Sequence, residues 1–438
     1  MAAPLQQQEQ ETQCTLRIAV VGGPQYDRLY ERLATFEAET GVHVEIVYRG
    51  SHPELNDFIT ATFPPANTDH TNRSSYKTPE LDLISTHVKY APSQAHYLQE
   101  LDSSLISQEQ QDEFLDSALE ACKIQGKLMQ LPRMVDSRVL FYRADILEKL
   151  GLAPPKTWQD LLKCAGTIGQ AALPLEVGGQ PVAPGLSDSA VAETRTMQGN
   201  DRPVFEESTV VPVLTYMRQL VVTGAVPADI DRYYFDQVST MFAEGRVAMV
   251  ADWPSYYRDM KQLLLKKAGE KGGGGGAKVK VMRYPVGANG SRSAYSGMHS
   301  FAIPKSCRHP EKALRLLQFL VHDDQQWLEA NESGSFPTKK AVLQRLVNET
   351  EEAAERSKLF VEAERTTESD SQSDVQLDSE RLRCLRATVE EDMAMFPHLL
   401  TYPELEDALY PMIQDAMMGR LSPEEAARSM QRRALQPF

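Results

Sequence analysis

Apolar residues come in short clusters whose spacing changes along the chain. The run LRIAVV at 16–21 is closed by Gly22, Gly23 and Pro24 and predicts a buried strand ending in a turn. Tyr26, Leu29, Tyr30, Leu33 and Phe36 then recur at helical spacing, and Gly41 supplies a C-terminal stop. Val42, Val44, Ile46 and Tyr48 alternate as a second strand. A third strand is expected at 81–85, after a polar, Pro-containing stretch at 64–77 that reads as a surface loop. Strands alternating with helices imply a mainly parallel sheet covered by helices on both faces.

A second α/β layer begins near Gly126. A strand-like approach to Leu131 and Pro132 is followed by VLFY at 139–142, then by a helix at 144–150 stopped by Gly151. Thr157 is placed as the N-cap of a helix containing Leu161 and Leu162. Helices are predicted near 210–223 and 234–244, with an apolar strand at 247–251. Gly272 to Gly276 form an unbroken glycine run that reads as a loop tip. The acidic, Ser- and Thr-rich segment 351–380 reads as solvated helix plus loop. Helical pattern resumes at 405–418, breaks at Gly419 and restarts with Ser422 as cap and Pro423 as first helical residue.

Length and charge narrow the class. A chain of 438 residues corresponds to about three domains, or to two large lobes, and can bury a sizeable core. The net charge of -15, from 46 Lys plus Arg against 61 Asp plus Glu, repels phosphate backbones, and no basic stripe offsets it, so no nucleic-acid partner is expected. Five cysteines, far apart and without a CxxC pair, argue against a disulfide framework and a structural zinc site. The apolar runs are too short to span a bilayer. The Gln- and Glu-rich start lacks the basic head and apolar region of a secretory signal, leaving either a cytosolic protein or an export segment already removed.

Motifs for chemistry are absent. The sequence has no GxSxG, HExxH or kinase set, and no GxGxxG after the first strand. The stretch 272–278 departs from a phosphate-binding loop at Ala277 and Val279. The nine histidines lack metal-ligand spacing, so neither metal nor cofactor is expected. What remains is a set of turns after strands, where open α/β sheets bind ligands. These are 22–27 with Tyr26 and Asp27, 85–87 with His87, Asp252 and Trp253, and 296–300 before a short strand at 301–303. Each has a plainer reading. Trp253 and Tyr26 suit core packing, Asp27 and Asp252 suit helix caps, and Arg133, Asp136 and Arg138 suit a surface ion pair.

Seven strings in order resemble a known family: FEAETGVHV at 36–44, QGKLMQLP at 125–132, VLFYRADI at 139–146, PKTWQDL at 155–161, MFAEGRVAM at 241–249, IPK at 303–305 and GSFPTK at 334–339. They are similar to the family 1 extracellular solute-binding proteins, the maltose-binding-protein-like receptors of ABC importers, over about 15–345 and again 395–430. The resemblance implies an α/β, two-lobed periplasmic-binding-protein-like fold of type II, with the ligand in the cleft between lobes. Crossings would fall near 131–133, 285–293 and 331–336. The first lobe would then hold 15–131 plus 293–332 and the second 132–290 plus 333–438, with 1–14 a flexible N-terminus.

By position, the same resemblance gives a cleft-lining role to Gly22, Gln25, Tyr26, His87, Arg133, Asp136, Asp252, Trp253, Gly297, Met298, His299 and Phe336. An aromatic face such as Trp253 or Phe336 would pack on a sugar ring while carboxylates and arginines bond its hydroxyls. The implied protein is a monomeric, non-enzymatic receptor outside the cytoplasm, whose partners are a solute, expected to be a carbohydrate, and ABC permease subunits. Two alternatives stay open: a cytosolic sensor of the same fold, and a bilobal, transferase-like enzyme using Asp136 with His299 as base and acid.

Overall fold

Strand β1 (Thr15–Val21) buries five of its seven residues and lies between β2 (His43–Gly50) and β3 (Leu83–His87), both parallel to it. The computed structural model describes residues 14–63, 80–170, 196–198, 202–233, 235–270, 278–287, 290–364, 370–394 and 399–436. Between β1 and β2 the single predicted helix is two, α1 (Pro24–Tyr30) and α2 (Leu33–Thr40). A tight turn in which the Arg32 amide donates to the Leu29 carbonyl separates them. Gly41 ends α2 at φ 69°, a left-handed conformation that favours glycine. Helix α3 (His52–Thr62) starts directly after β2 on a capping box between Ser51 and Glu54.

The remaining strands are β4 (Lys123–Ile124), β5 (Lys127–Leu128), β6 (Leu131–Ser137), β7 (Val139–Arg143), β8 (Thr196–Gln198), β9 (Arg202–Val204), β10 (Met249–Asp252), β11 (Val279–Met282), β12 (Ala294–Ala302), β13 (Phe336–Pro337) and β14 (Met393–Ala394). A seven-stranded sheet runs in the order β13-β6-β12-β3-β1-β2, with β14 beside β12. In it β12 is antiparallel to both β3 and β6, so β1, β2, β3 and β6 all end on one edge. A smaller antiparallel sheet has the order β10-β7-β11. Strand β6 is buried along its whole length between β12 and β13, which keeps it in the large sheet. The chain passes from the large sheet to the smaller one at Arg138, the single residue between β6 and β7.

Segment 296–300, read from the sequence as a turn, is the interior of the nine-residue strand β12. Its polar residues are tolerated because neighbouring strands satisfy them. The Ser296 hydroxyl meets that of Ser137 at 2.7 Å, and the Ser300 hydroxyl donates to Gln130. Helices at Trp158–Gln170, Glu207–Val222, Phe235–Ala243, Tyr402–Met418 and Pro423–Ala434 match the apolar periodicity. Thr157 and Asp160 exchange capping bonds at 3.1 and 3.0 Å, and Ser422 caps the last helix. The acidic segment forms helices Lys340–Glu364 and Asp370–Ala387. The predicted loops at 64–77 and 272–276 lie outside the described residues. No described helix is long and apolar enough to cross a membrane.

Candidate functional site

Alternation along β12 puts Tyr295, Gly297 and His299 on one face of the large sheet. Register sets Asp136 opposite Gly297 and His87 opposite His299 on the flanking strands. The His299 Nε2 lies 2.6 Å from Asp136 Oδ2 and 3.3 Å from the Tyr26 hydroxyl. That hydroxyl is also 3.2 Å from Nε2 of His52, the first residue of α3. The three imidazoles pack closely: ring centres are 4.7 Å apart for His52 and His299, 5.2 Å for His87 and His299, and 5.6 Å for His52 and His87.

Gly297 makes this packing feasible. A Cβ there would sit 2.3 Å from His87 Nε2, well inside van der Waals contact. His299 and Asp136 are only 3% and 5% exposed, and among the described residues Nδ1 of the first and Oδ1 of the second lack hydrogen-bond partners. Buried polar atoms are nearly always paired in native proteins, so two orphans in one contact pair set this cluster apart from the surrounding sheet. Burial, then the charge of His299, holds His52 and His87 well below the ordinary imidazole range. The two rings are therefore neutral at pH 7.

Further along the same strip, the Arg138 guanidinium lies 4.1 Å from the Trp253 ring centre and 5.4 Å from that of Tyr295. Trp253 and Tyr295 are themselves 5.4 Å apart and tilted. Trp253 is held from below by Asp252, whose Oδ1 accepts from the Trp253 amide at 2.8 Å and whose Oδ2 accepts from Ser239 at 2.6 Å. Burial pushes the Asp252 carboxyl up to about 6, against those two bonds and the Arg138 charge. Trp253 and Tyr295 are both half-buried, so an aromatic surface remains reachable.

The structure thus brings Tyr26, His87, Asp136, Gly297 and His299 into one cluster and Asp252 and Trp253 into an adjoining one. Other candidates lie elsewhere. Met298 and Phe336 both sit opposite Val135, on the other face of the sheet, and each is 1% exposed. Arg133 is enclosed and engaged: its guanidinium donates to Glu329, to the Tyr30 hydroxyl at 3.1 Å and to the Tyr26 carbonyl at 3.2 Å. Burial opposes its charge but Glu329 and the tyrosines overcome this, raising its pKa. Gly22 closes β1 with its amide on the Gly50 carbonyl, and the Arg49 stem packs where a side chain would go. Gln25 belongs to α1, and its side chain lies outside the described residues.

His52, Tyr295 and the stacking role of Arg138 escaped the sequence reading. His52 sits in the turn after the second strand, so the strand-end rule that selected His87 applied to it equally. Among the described residues, no group of three or more His, Cys, Asp or Glu side chains is arranged to hold a metal ion. Near the cluster, the Lys89 ammonium reaches Glu406 of the helix Tyr402–Met418 at 2.5 Å. A separate recess of about 510 Å³ lies at the opposite end of β6, with Leu131, Phe114 and Val321 in its floor and Lys339 and Glu113 at its rim.

The sequence profile described as Bacterial extracellular solute-binding protein matches residues 31–360. The chain belongs to that family. A probable ABC transporter-binding protein of Deinococcus radiodurans is 26% identical to this solute-binding protein over 277 residues, covering 60% of this chain and 63% of that one. The chain thus spans somewhat under two thirds of that relative's length. Among solved structures, maltose-bound MalE3 of T. maritima superposes with a TM-score of 0.72 at 20% identity, covering 96% of this chain and 99% of the other. The GacH receptor of Streptomyces glaucescens, solved unliganded and with acarbose, gives 0.72 at 18% identity over 98% and 100%. The solute-binding protein has their fold, two α/β lobes with a cleft between them, and the family is one of extracellular transport components rather than enzymes.

Proposed function

We propose that this solute-binding protein captures a sugar or related polar small molecule in the interlobe cleft and hands it, chemically unaltered, to the permease of an ABC transporter. The observation that carries this is the continuous strip from Trp253 through Arg138, Tyr295 and Gly297 to Asp136, His299 and His87. It joins an aromatic surface, suited to the apolar face of a pyranose, to the Asp136 Oδ1 and His299 Nδ1 atoms, which lack partners among the described residues and suit hydroxyls. The relatives solved with maltose and with acarbose support a carbohydrate. Work outside the cytoplasm follows from the family, and a monomer suffices because the site needs only one chain. The lobes would divide where the sheets do, at Arg138.

A thermal-shift screen of mono- and oligosaccharides tests the reading. A saccharide at about 100 times its dissociation constant adds about 2.7 kcal/mol to stability and raises the melting temperature. Trp253→Ala should abolish that rise, and mass spectrometry should recover the saccharide intact. A rise with phosphorylated or carboxylated compounds alone rejects a sugar, and a covalently altered saccharide rejects simple capture in favour of acid–base work by Asp136 and His299.

A further inference from the structure

We infer that His52, His87 and His299 together form the hydroxyl-reading surface of the cleft, that His52 is a further ligand-contacting residue, and that proton uptake by this cluster expels an uncharged ligand. The assignment rests on the carbohydrate reading above. It starts from placement: three rings from three different elements, α3, β3 and β12, lie with centres 4.7 to 5.6 Å apart. His52 and His87 are half-buried, so both are reachable.

The surroundings offer little to neutralise added positive charge. From β6, Asp136 is already engaged by His299, and Arg133 contributes positive charge whose matching carboxylate is Glu329. From the segment after β3, Lys89 adds a second positive charge, matched by Glu406 of the helix Tyr402–Met418. From α1, the Tyr26 hydroxyl bonds His52 and His299, and Tyr30 is kept in its un-ionised form by burial. Tyr90 is likewise raised by burial, beside Lys89. Glu54, on α3 itself, is turned outward onto Ser51. Each further proton added to the cluster therefore meets the charge of Lys89 and Arg133 and of any ring already protonated.

A neutral imidazole presents one donor and one acceptor, which is what a hydroxyl needs from its partner. A protonated ring is donor only. His87 already uses its Nδ1 acceptor on the Lys89 amide at 3.2 Å, so its other nitrogen is a donor, and acidification removes the acceptor capacity left in the cluster and adds charge to it. An anionic ligand would behave oppositely, drawing protons into the cluster and binding more tightly at low pH. The sign for the protein itself agrees. Imidazoles held below their unfolded value of about 6.5 contribute stability above that pH, and the contribution is lost as pH falls toward their folded values.

Isothermal titration of the full chain with the saccharide giving the largest thermal shift, from about pH 8 to about pH 5, is the test. We expect affinity to fall at least about tenfold toward acid, the loss that one unit of differential protonation produces. His52→Gln, which keeps a polar group but cannot charge, should bind more weakly at pH 8 and show a shallower fall. Ring-proton NMR of the ligand-free protein should show two imidazoles titrating below the ordinary value of about 6.5. Affinity that stays flat or rises toward acid overturns the inference and leaves the carbohydrate reading standing. Ring titration at the ordinary value overturns it without reference to any ligand. The absence of a saccharide response at every pH overturns the reading and the inference together.

Discussion

A methyl group at position 297 would collide with an imidazole. The nearest atoms to a Cβ built on Gly297 are Nε2 and Cε1 of His87, at 2.3 and 2.8 Å, and the ring is hemmed in by His52 and His299. Overpacking of this kind costs about 1–3 kcal/mol. Gly297→Ala is therefore expected to lower the free energy of urea unfolding by that amount and to blunt the saccharide response. A variant with unchanged unfolding midpoint and binding would show that the ring relocates freely. The glycine is a residue whose importance lies in what it leaves room for, and composition gives no sign of that. Asp252 makes the complementary point. Its strand-end position was visible in the sequence, but not the burial that pushes its carboxyl up to about 6 nor the Ser239 hydroxyl that holds it.

Between elements, the strongest tie near the site joins β6 to the helix Asp323–Glu332. Arg133 and Glu329 are 1% and 3% exposed and share several charge-assisted bonds across 196 positions of sequence. Removing one partner of a buried pair leaves the other uncompensated, at a cost of about 3–5 kcal/mol. Glu329→Gln should destabilise the protein by that much in chemical denaturation, whereas an exposed pair such as Arg345 with Glu349 should be dispensable within about 0.5 kcal/mol. The elements themselves were largely legible. Apolar runs such as 16–21 and capped periodic stretches such as 158–170 depend on local spacing, which a sequence shows directly. Strand β12 was cut short because Ser296, Gly297, His299 and Ser300 look like loop residues until Ser137, Gln130 and His87 are placed beside them. The site was legible to the same extent. Turns after strands pointed to His87 and Trp253 as candidates, while Glu329, Tyr295 and the contact between His52 and His299 depend on tertiary neighbours.

Across the whole molecule, the Lys89–Glu406 pair is placed to hold the helix Tyr402–Met418 against the edge of the large sheet, next to the histidine cluster. At 18% and 30% exposure it is shielded from solvent but not sealed. Interactions of this class contribute up to about 1 kcal/mol and weaken as salt shortens the screening length from about 10 Å at 0.1 M to about 3 Å at 1 M. Saccharide affinity should fall roughly fivefold in Glu406→Gln. The wild-type protein should lose a similar factor on moving to high salt, and the variant should not. Equal salt dependence in the two proteins would assign the effect to other charges.

Arg138 alone separates the last residue of one sheet from the first of the other. With consecutive Cα atoms about 3.8 Å apart, Ser137 and Val139 can never be more than about 7 Å from one another. On the two-lobe division proposed above, this crossing would let the lobes swivel without slack, like leaves on a single pin. The same residue is stacked on Trp253, so on the reading proposed above the pin would also be part of the surface that meets the cargo. Two glycines spliced in beside it would turn an axle into a tether, and the indole would lose its fixed bearing on Arg138.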